Sequence, residues 1–318
     1  MTVRILFLGT PEFAVPTLIN LLEDKRFEVI GVVTQPDRPS GRGNKVQAPP
    51  TKVVAEKHGI KVFQPQSLSK APEMVQELRD LQPDYTVMVA FGQILRKAML
   101  DMPKKGVVNI HGSLLPKLRG AAPINWSIIN GDHVAGVTTM FTEAGVDTGP
   151  MLLRAEVPVG ADMNAEELAK ELSVVGANLL IETLVQLEAG DLVPEPQNDQ
   201  EASLAPMLSK EMGKIDWTLP GQMIHNLVRG LIPWPGTYTP FKEISLKIIR
   251  THVSSEHRGD TLTPGAVSLA GDKLVVACGA DGKDRIELLE VQPPGKGRMR
   301  ARDWANGAHL QNGDVLGN

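Results

Sequence analysis

The 318-residue chain holds a single cysteine, Cys278, so an internal disulfide is excluded and a reducing compartment fits. It has no apolar run of about 18 residues, so no membrane span is expected. The opening MTVRILFLGTPEF turns after about seven apolar residues and reads as a first core strand, not a secretion signal. A cytoplasmic location is the expectation. The seven histidines are scattered, with no H-x-x-x-H and no C-x-x-C, so no metal is expected. No G-x-S-x-G elbow marks a serine nucleophile, and Cys278 falls in a distant strand. Gly9 ends the first strand, but Thr10, Pro11 and Glu12 follow. The other two glycines of G-x-G-x-x-G are missing, and the Glu12 carboxylate occupies the place of an anion, which excludes a nucleotide cofactor there. Net charge is −4, which excludes a general polyanion binder. The charge is uneven: residues 1–207 carry 19 Lys+Arg against 25 Asp+Glu, and residues 208–318 carry 14 against 12, a slightly basic tail half.

Hydrophobic content of 42% and charged content of 22% are ordinary for a soluble globular protein, and the length suffices for two domains. The first half alternates strand and helix patterns. VRILFLG (3–9), FEVIGVVT (27–34), DYTVMVAF (84–91) and GVVNIHGS (106–113) are apolar runs of the kind buried on both faces of a parallel sheet. IKVFQP (60–65), VAGVTTMFT (134–142) and PMLLRAEVPV (150–159) extend the series. Helices are predicted over 13–24, 51–59, 70–82, 92–102 and 164–190. The pattern predicts an α/β class: a doubly wound, mostly parallel, Rossmann-like sheet. Residues 191–206 are polar, with three prolines and no period, and read as a linker. Beyond them one helix, GQMIHNLVRGL, precedes short strands separated by turn residues, as in a small β-barrel. The expected domains are 1–190, a linker at 191–207, and 208–318.

Asn109 and His111 lie two apart in a strand, so their side chains emerge on one face at its C-terminal end, where ligands sit in open α/β sheets. An amide donor beside an imidazole can bind a developing oxyanion and handle a proton. TEAGVDTGPM (142–151) supplies a carboxylate, Asp147, in a Gly-flanked loop between two strands. From residue types alone, both readings stay open for all three: a catalytic group, or a plain turn or strand-end residue.

The stretches NIHGSLLPKLRGAAPINW (109–126) and GVTTMFTEAGVDTGPML (136–152) resemble the folate-dependent formyltransferase family. RILFLGTPEFAVPTLINLL, VVTQPDRPSGRGNKVQAPPTK and KIDWTLPGQMIHNLVRGLIPWPGTYT extend the likeness to nearly the whole chain, toward the members that act on methionyl-tRNA. The resemblance implies formyl transfer from 10-formyltetrahydrofolate to the α-amino group of methionine on initiator tRNA, with Asn109, His111 and Asp147 as the catalytic trio. It implies that Ser113, Leu114, Leu115 and Pro116 form a folate-binding turn, that Ile94 and Leu95 wall the pterin pocket, and that Phe13 lines the methionyl site. Without it, Ile94, Leu95 and Phe13 read as core packing. The second domain resembles the family's OB-like β-barrel, which contacts tRNA.

The segment TQPDRPSGRGNKVQAPP (34–50) is long for a strand–helix connection, usually about 2–6 residues, and its cations are Arg38, Arg42 and Lys45. Taken alone it reads as a solvated loop; the resemblance implies that it engages the acceptor stem, with an entropic cost at binding. Lys210, Lys214, Arg229, Lys247, Arg250, Lys296, Arg298 and Arg300 are candidate phosphate partners in the tail half. No membrane partner and a monomer are expected. The competing readings are a formyltransferase acting on a small amine such as a sugar nucleotide or glycinamide ribonucleotide, a formyltetrahydrofolate hydrolase, and a non-catalytic RNA-binding protein. The cationic loop argues against the first two and the intact trio against the last.

Overall fold

A computed structural model describes residues 2–40, 45–253 and 260–317. The chain divides into two compact units: residues 1–120, 134–157 and 169–205 form one, and residues 121–133, 158–168 and 206–318 the other.

The first unit is built on a seven-stranded sheet of β1 (Val3–Gly9), β2 (Phe27–Val33), β3 (Val62–Phe63), β4 (Tyr85–Val89), β5 (Val107–His111), β6 (Val134–Phe141) and β7 (Met151–Pro158). Their order is β3-β2-β1-β4-β5-β6-β7, so the winding reverses between β1 and β4, as the alternating pattern predicts for a doubly wound sheet. The four pairings from β3 to β5 are parallel, and β5 pairs antiparallel with β6. Ile5, Leu6, Phe7 and Leu8 are wholly buried, which explains why β1 is apolar at successive positions. Each such side chain contributes about 1.5–3 kcal/mol.

The predicted elements and the structure part company at three places. The helix expected over 92–102 is reduced to the single turn Lys97–Leu100. Ala90 and Gly92 take left-handed backbone conformations, so the chain after β4 cannot enter a helix at once. The 34–50 segment is not a bare loop: Arg38–Ser40 and Lys45–Gln47 pair as a short antiparallel hairpin. Its root is fixed by Asp37, which accepts from Lys52 Nζ at 2.8 Å and from Gln64 Nε2 at 2.6 Å. Residues 191–205 cluster with the first unit: Glu195 exchanges two 2.8 Å backbone hydrogen bonds with Met151, and Leu204–Ala205 pairs with Arg119–Gly120.

The helix Ala165–Ala189 is long and apolar enough to cross a membrane, but its Leu168, Leu172, Leu180 and Leu184 are wholly buried inside the fold. That is the pattern of an amphipathic core helix.

The second unit carries an antiparallel sheet ordered Thr237–Phe241, Ile244–Val253, Asp284–Gln292, Lys273–Cys278, Val267–Ala270, with Met299–Arg300 added to the third of these. Among the described residues the first and last strands of this path are not paired to each other. The helix Gly221–Gly230 lays Ile224 and Val228 on the core formed by Leu246, Ile248, Ile286 and Leu288. Arg229 on this helix is buried, not a phosphate partner: its guanidinium donates to Asn226 Oδ1 and to the carbonyls of Gly160 and Met163. The other seven cations named above are exposed, and Arg300 pairs with Asp272.

Candidate active site

β5 ends the parallel series, and its last residue, His111, stands at the carboxyl edge of the sheet. Asn109 lies opposite Met88 and Met140, and His111 opposite Thr138. Both side chains are held in the sheet rather than in solvent, with Asn109 6% and His111 5% exposed. Among the described residues the Asn109 carboxamide makes no hydrogen bond within the protein, so its donors are free for a ligand.

Asp147 lies 36 residues further along but comes to His111: its Oδ2 is 3.5 Å from His111 Nδ1. His111 Nε2 is 2.9 Å from the carbonyl oxygen of Leu118. A carbonyl can only accept, so Nε2 carries the hydrogen, and Nδ1, facing the carboxylate, is the position where a proton can be taken up and released. A donation from His111 to an oxyanion would therefore come from Nδ1.

The loop that presents Asp147 is held at several points. Oδ2 accepts from the Gly120 amide at 2.9 Å, and Asp147 itself is in the left-handed region at φ 52°. Gly149 cannot carry a side chain, because a Cβ there would sit 1.9 Å from the Phe141 carbonyl oxygen. Gly120, at φ 122°, is likewise confined by the Ala205 carbonyl, 2.7 Å from where its Cβ would lie. Gly149, just beyond Asp147, and Gly120, just after Arg119, are thus geometric requirements of one convergence.

Four residues that sequence reasoning passed over, Gln197, Arg119, Asp199 and Ser203, complete this frame. Gln197 Nε2 donates to the carbonyls of Asp147 and Gly149, both at 2.8 Å, while its Oε1 accepts from Arg119 Nε at 2.9 Å. Arg119 also pairs with Asp199 at 2.8 Å. Ser203 accepts from the Leu118 amide through Oγ at 2.9 Å and from the Arg119 amide through its carbonyl at 2.8 Å. Gln197 and Ser203 lie in the aperiodic 191–206 stretch, where no pattern marks them.

The other expected site residues are distributed as follows. Ser113–Pro116 leaves β5 as a turn stitched to β6: Thr138 Oγ1 donates to the Ser113 carbonyl at 2.7 Å and accepts from the Leu115 amide at 3.1 Å. Ser113 Oγ is turned inward onto the Lys117 carbonyl at 2.6 Å, Leu115 packs with Met140 and Met151, and Pro116 is buried while Leu114 is half-buried. Ile94 and Leu95 part: Leu95 belongs to the core with Phe91 and Met99, whereas Ile94 is 79% exposed. Ile94 lines an open cleft of about 250 Å³ with Leu68, Pro72, Val75, Arg79 and Arg96. Phe13 is half-buried in the turn Glu12–Ala14 after β1. Beside that turn the Gly9 carbonyl accepts from Thr51 Oγ1 at 2.8 Å and the Thr10 hydroxyl accepts from the Gln35 amide at 3.2 Å. Arg38 is exposed and donates to Gln35; Lys45 pairs through its backbone with Ser40; Arg42 lies outside the described residues.

Known proteins match this chain over both of its halves. The family model described as formyl transferase matches residues 3–184, and the formyl transferase C-terminal domain matches residues 207–309. A methionyl-tRNA formyltransferase of Ruminiclostridium cellulolyticum is 46% identical over 314 residues, covering 99% of each chain. One of Geotalea uraniireducens is 50% identical over 315 residues, covering 99% of this chain and 98% of the other. Among solved structures, an N-formyltransferase from Helicobacter canadensis, in complex with folinic acid and dTDP-3-aminofucose, superposes with a TM-score of 0.68 over 92% of this chain and 100% of that one. At 20% identity that likeness bears on the fold alone. Matched along nearly its full length by the family's two domains and by close relatives, the chain belongs to the formyl transferase family, with the methionyl-tRNA formyltransferases.

Proposed function

We propose that this protein transfers the formyl group of 10-formyltetrahydrofolate to the α-amino group of methionine on initiator methionyl-tRNA, in the cytoplasm. The carrying observation is the convergence of an unpartnered carboxamide, an imidazole with one committed nitrogen, and a carboxylate 3.5 Å from the other nitrogen. The relatives that share about half of this sequence end to end support the choice of acceptor.

The chemistry follows from the side chains. As the amine of methionine adds to the formyl carbon, negative charge grows on the formyl oxygen. The Asn109 carboxamide donates to it from a buried position, where a fixed donor is worth more than water. The new C–N bond leaves the amine nitrogen with a proton to lose, and the folate nitrogen needs one to depart. His111 Nδ1 takes that proton and passes it on, while Asp147 stabilises the imidazolium between the two transfers. The 3.5 Å separation is longer than a hydrogen bond and leaves room for tightening when substrates bind.

For the folate, the backbone of Ser113–Pro116 and the exposed face of Ile94 form the contact surface, with Leu95 supporting Ile94 from the core side. Phe13 lines the methionyl side. The segment 34–50, with Arg38, Arg42 and Lys45 as its cations, meets the acceptor stem, where cations and phosphates pair and affinity falls with salt. The exposed cations of residues 208–318 add a second, weaker set of phosphate partners.

Incubation with 10-formyltetrahydrofolate and charged initiator tRNA tests the reading. Formylmethionyl-tRNA and tetrahydrofolate should form in equal amounts, and only when both substrates are present. Folate product that appears with glycinamide ribonucleotide but not with methionyl-tRNA would refute the acceptor, and product without any acceptor would make the protein a hydrolase.

A further inference from the structure

The Asp147 peptide is gripped from outside its own loop. Gln197 reaches it from a segment about 50 residues away in sequence and donates to two carbonyls, one on Asp147 and one on Gly149. The orientation of this amide is not ambiguous. Arg119 Nε is a donor only, so it demands the Gln197 oxygen, and the amide nitrogen must face the two carbonyls. Arg119 is itself fixed: its side chain is 9% exposed, and Asp199 pairs with it from the same segment. The segment is registered on the first unit at both ends, by the Met151–Glu195 backbone exchange and by the Leu204–Ala205 pairing with Arg119–Gly120.

Asp147 needs such support. A left-handed backbone at a residue with a Cβ persists only where its surroundings over-determine it. Its carboxylate is aimed by one backbone amide, Gly120, which leaves rotation of the Asp147 peptide as the freedom that would carry Oδ2 away from His111. The two Gln197 bonds remove that freedom.

We infer that Gln197, oriented by Arg119, is a positioning residue that holds the Asp147 carboxylate against His111 Nδ1. The inference rests on the catalytic reading of Asp147 given above. It makes the polar stretch before the second unit part of the active-site wall rather than a mere connection.

Two variants separate the role from general stability. Gln197→Glu keeps the acceptor for Arg119 and removes both donors, and Gln197→Met keeps the length and removes all polarity. Each is made alone and together with Asp147→Asn, and circular dichroism and thermal melting verify the fold. In single-turnover formylation each should lose roughly 10- to 100-fold in rate, the scale of a misplaced catalytic group, with KM for the folate within about twofold. Once the Asp147 charge is gone, loss of Gln197 should cost less than about twofold more, because residues acting as one unit are not additive. At one fixed pH the ¹⁵Nδ1 resonance of His111 should move in Gln197→Met toward its position in Asp147→Asn. A rate within twofold of the unaltered protein, an equal fold-loss in both backgrounds, or an unmoved His111 resonance overturns the inference. If the unaltered protein transfers no formyl group, the functional reading fails instead, and the resonance still reports whether Gln197 holds the pair together.

Discussion

Replacing Asp147 by Asn removes one charge and little else, so it isolates chemistry from folding. Asn tolerates the left-handed backbone at φ 52° at least as well as Asp. The carbonyl that accepts from Gln197 is main chain and stays, and the new amide oxygen can still accept from the Gly120 amide. That bond weakens from charged to neutral, a change of about 1 kcal/mol against a stability of roughly 5–15 kcal/mol, so the protein remains folded. The kinetic loss is larger. A carboxylate 3.5 Å from an imidazolium nitrogen, both side chains shielded at 17% and 6% exposure, interacts by about 5 kcal/mol at an effective dielectric of about 20. Not all of this is realised at the transition state, and roughly 10²–10³-fold in rate is expected, within the usual range for a proton-transfer group. Single-turnover formylation, with both substrates saturating, reads the chemical step free of product release. A folded Asp147→Asn protein that formylates within about threefold of the original rate would refute the role assigned to the His111–Asp147 pair.

Asn109→Ala removes the buried carboxamide proposed to donate to the oxyanion and should lower single-turnover formylation about 10²–10³-fold, measured as the rate at saturating folate. Arg42→Ala should weaken tRNA affinity by roughly tenfold or more, flatten its salt dependence, and leave folate affinity unchanged, as a filter-binding titration would show. Burial beside Asp284 pushes the Cys278 thiol up to about 12, so it should react with Ellman's reagent at pH 8 only on unfolding; rapid native labelling would contradict its place in the core. Burial holds His225 below its ordinary 6.5, with Arg229 and His252 acting in the same sense and the Ala161 carbonyl and Asp162 against it. The unfolded chain therefore takes up this proton first: stability is undiminished above pH 6.5 and lost progressively below it, and His225→Gln should flatten the calorimetric Tm profile over that window.

Much of this site was legible because it is written in periodicity. The apolar run of β1 declares a strand buried on both faces, and the i, i+2 spacing of Asn109 and His111 puts two polar groups on one strand face. Asp147 is legible through its glycines, and Gly149 shows why: nothing larger fits against the Phe141 carbonyl. What was hidden is what periodicity does not encode. The partner of His111 Nε2 is a backbone carbonyl, which has no letter in the sequence. Gln197 sits among prolines and acids that read as a tether. The pairing of 38–40 with 45–47 needs a cross-strand register that neither three-residue strand announces alone. At 92–102 the helical spacing of Leu95 and Met99 is real, and both are buried, but left-handed Ala90 and Gly92 postpone the helix to Lys97. Arg229 looked like surface charge because a buried guanidinium satisfied by carbonyls leaves no compensating acid nearby in the sequence.

The two halves of the proposed catalytic set are held by structures of different stiffness. Asn109 and His111 belong to a strand paired on both sides, buried along its whole length, and they move only if the sheet opens. Asp147 belongs to a loop whose place depends on one hydrogen bond from Gly120, two from Gln197 and one glycine packed against a carbonyl. Local opening of that loop costs far less than global unfolding, so the carboxylate is the member of the trio that samples other positions first. Anything that strengthens or releases the 195–205 segment therefore acts on the proposed proton-transfer pair without touching Asn109, the proposed oxyanion donor. Loss of the segment's grip should resemble loss of Asp147, and loss of Asn109 should remain separable from both.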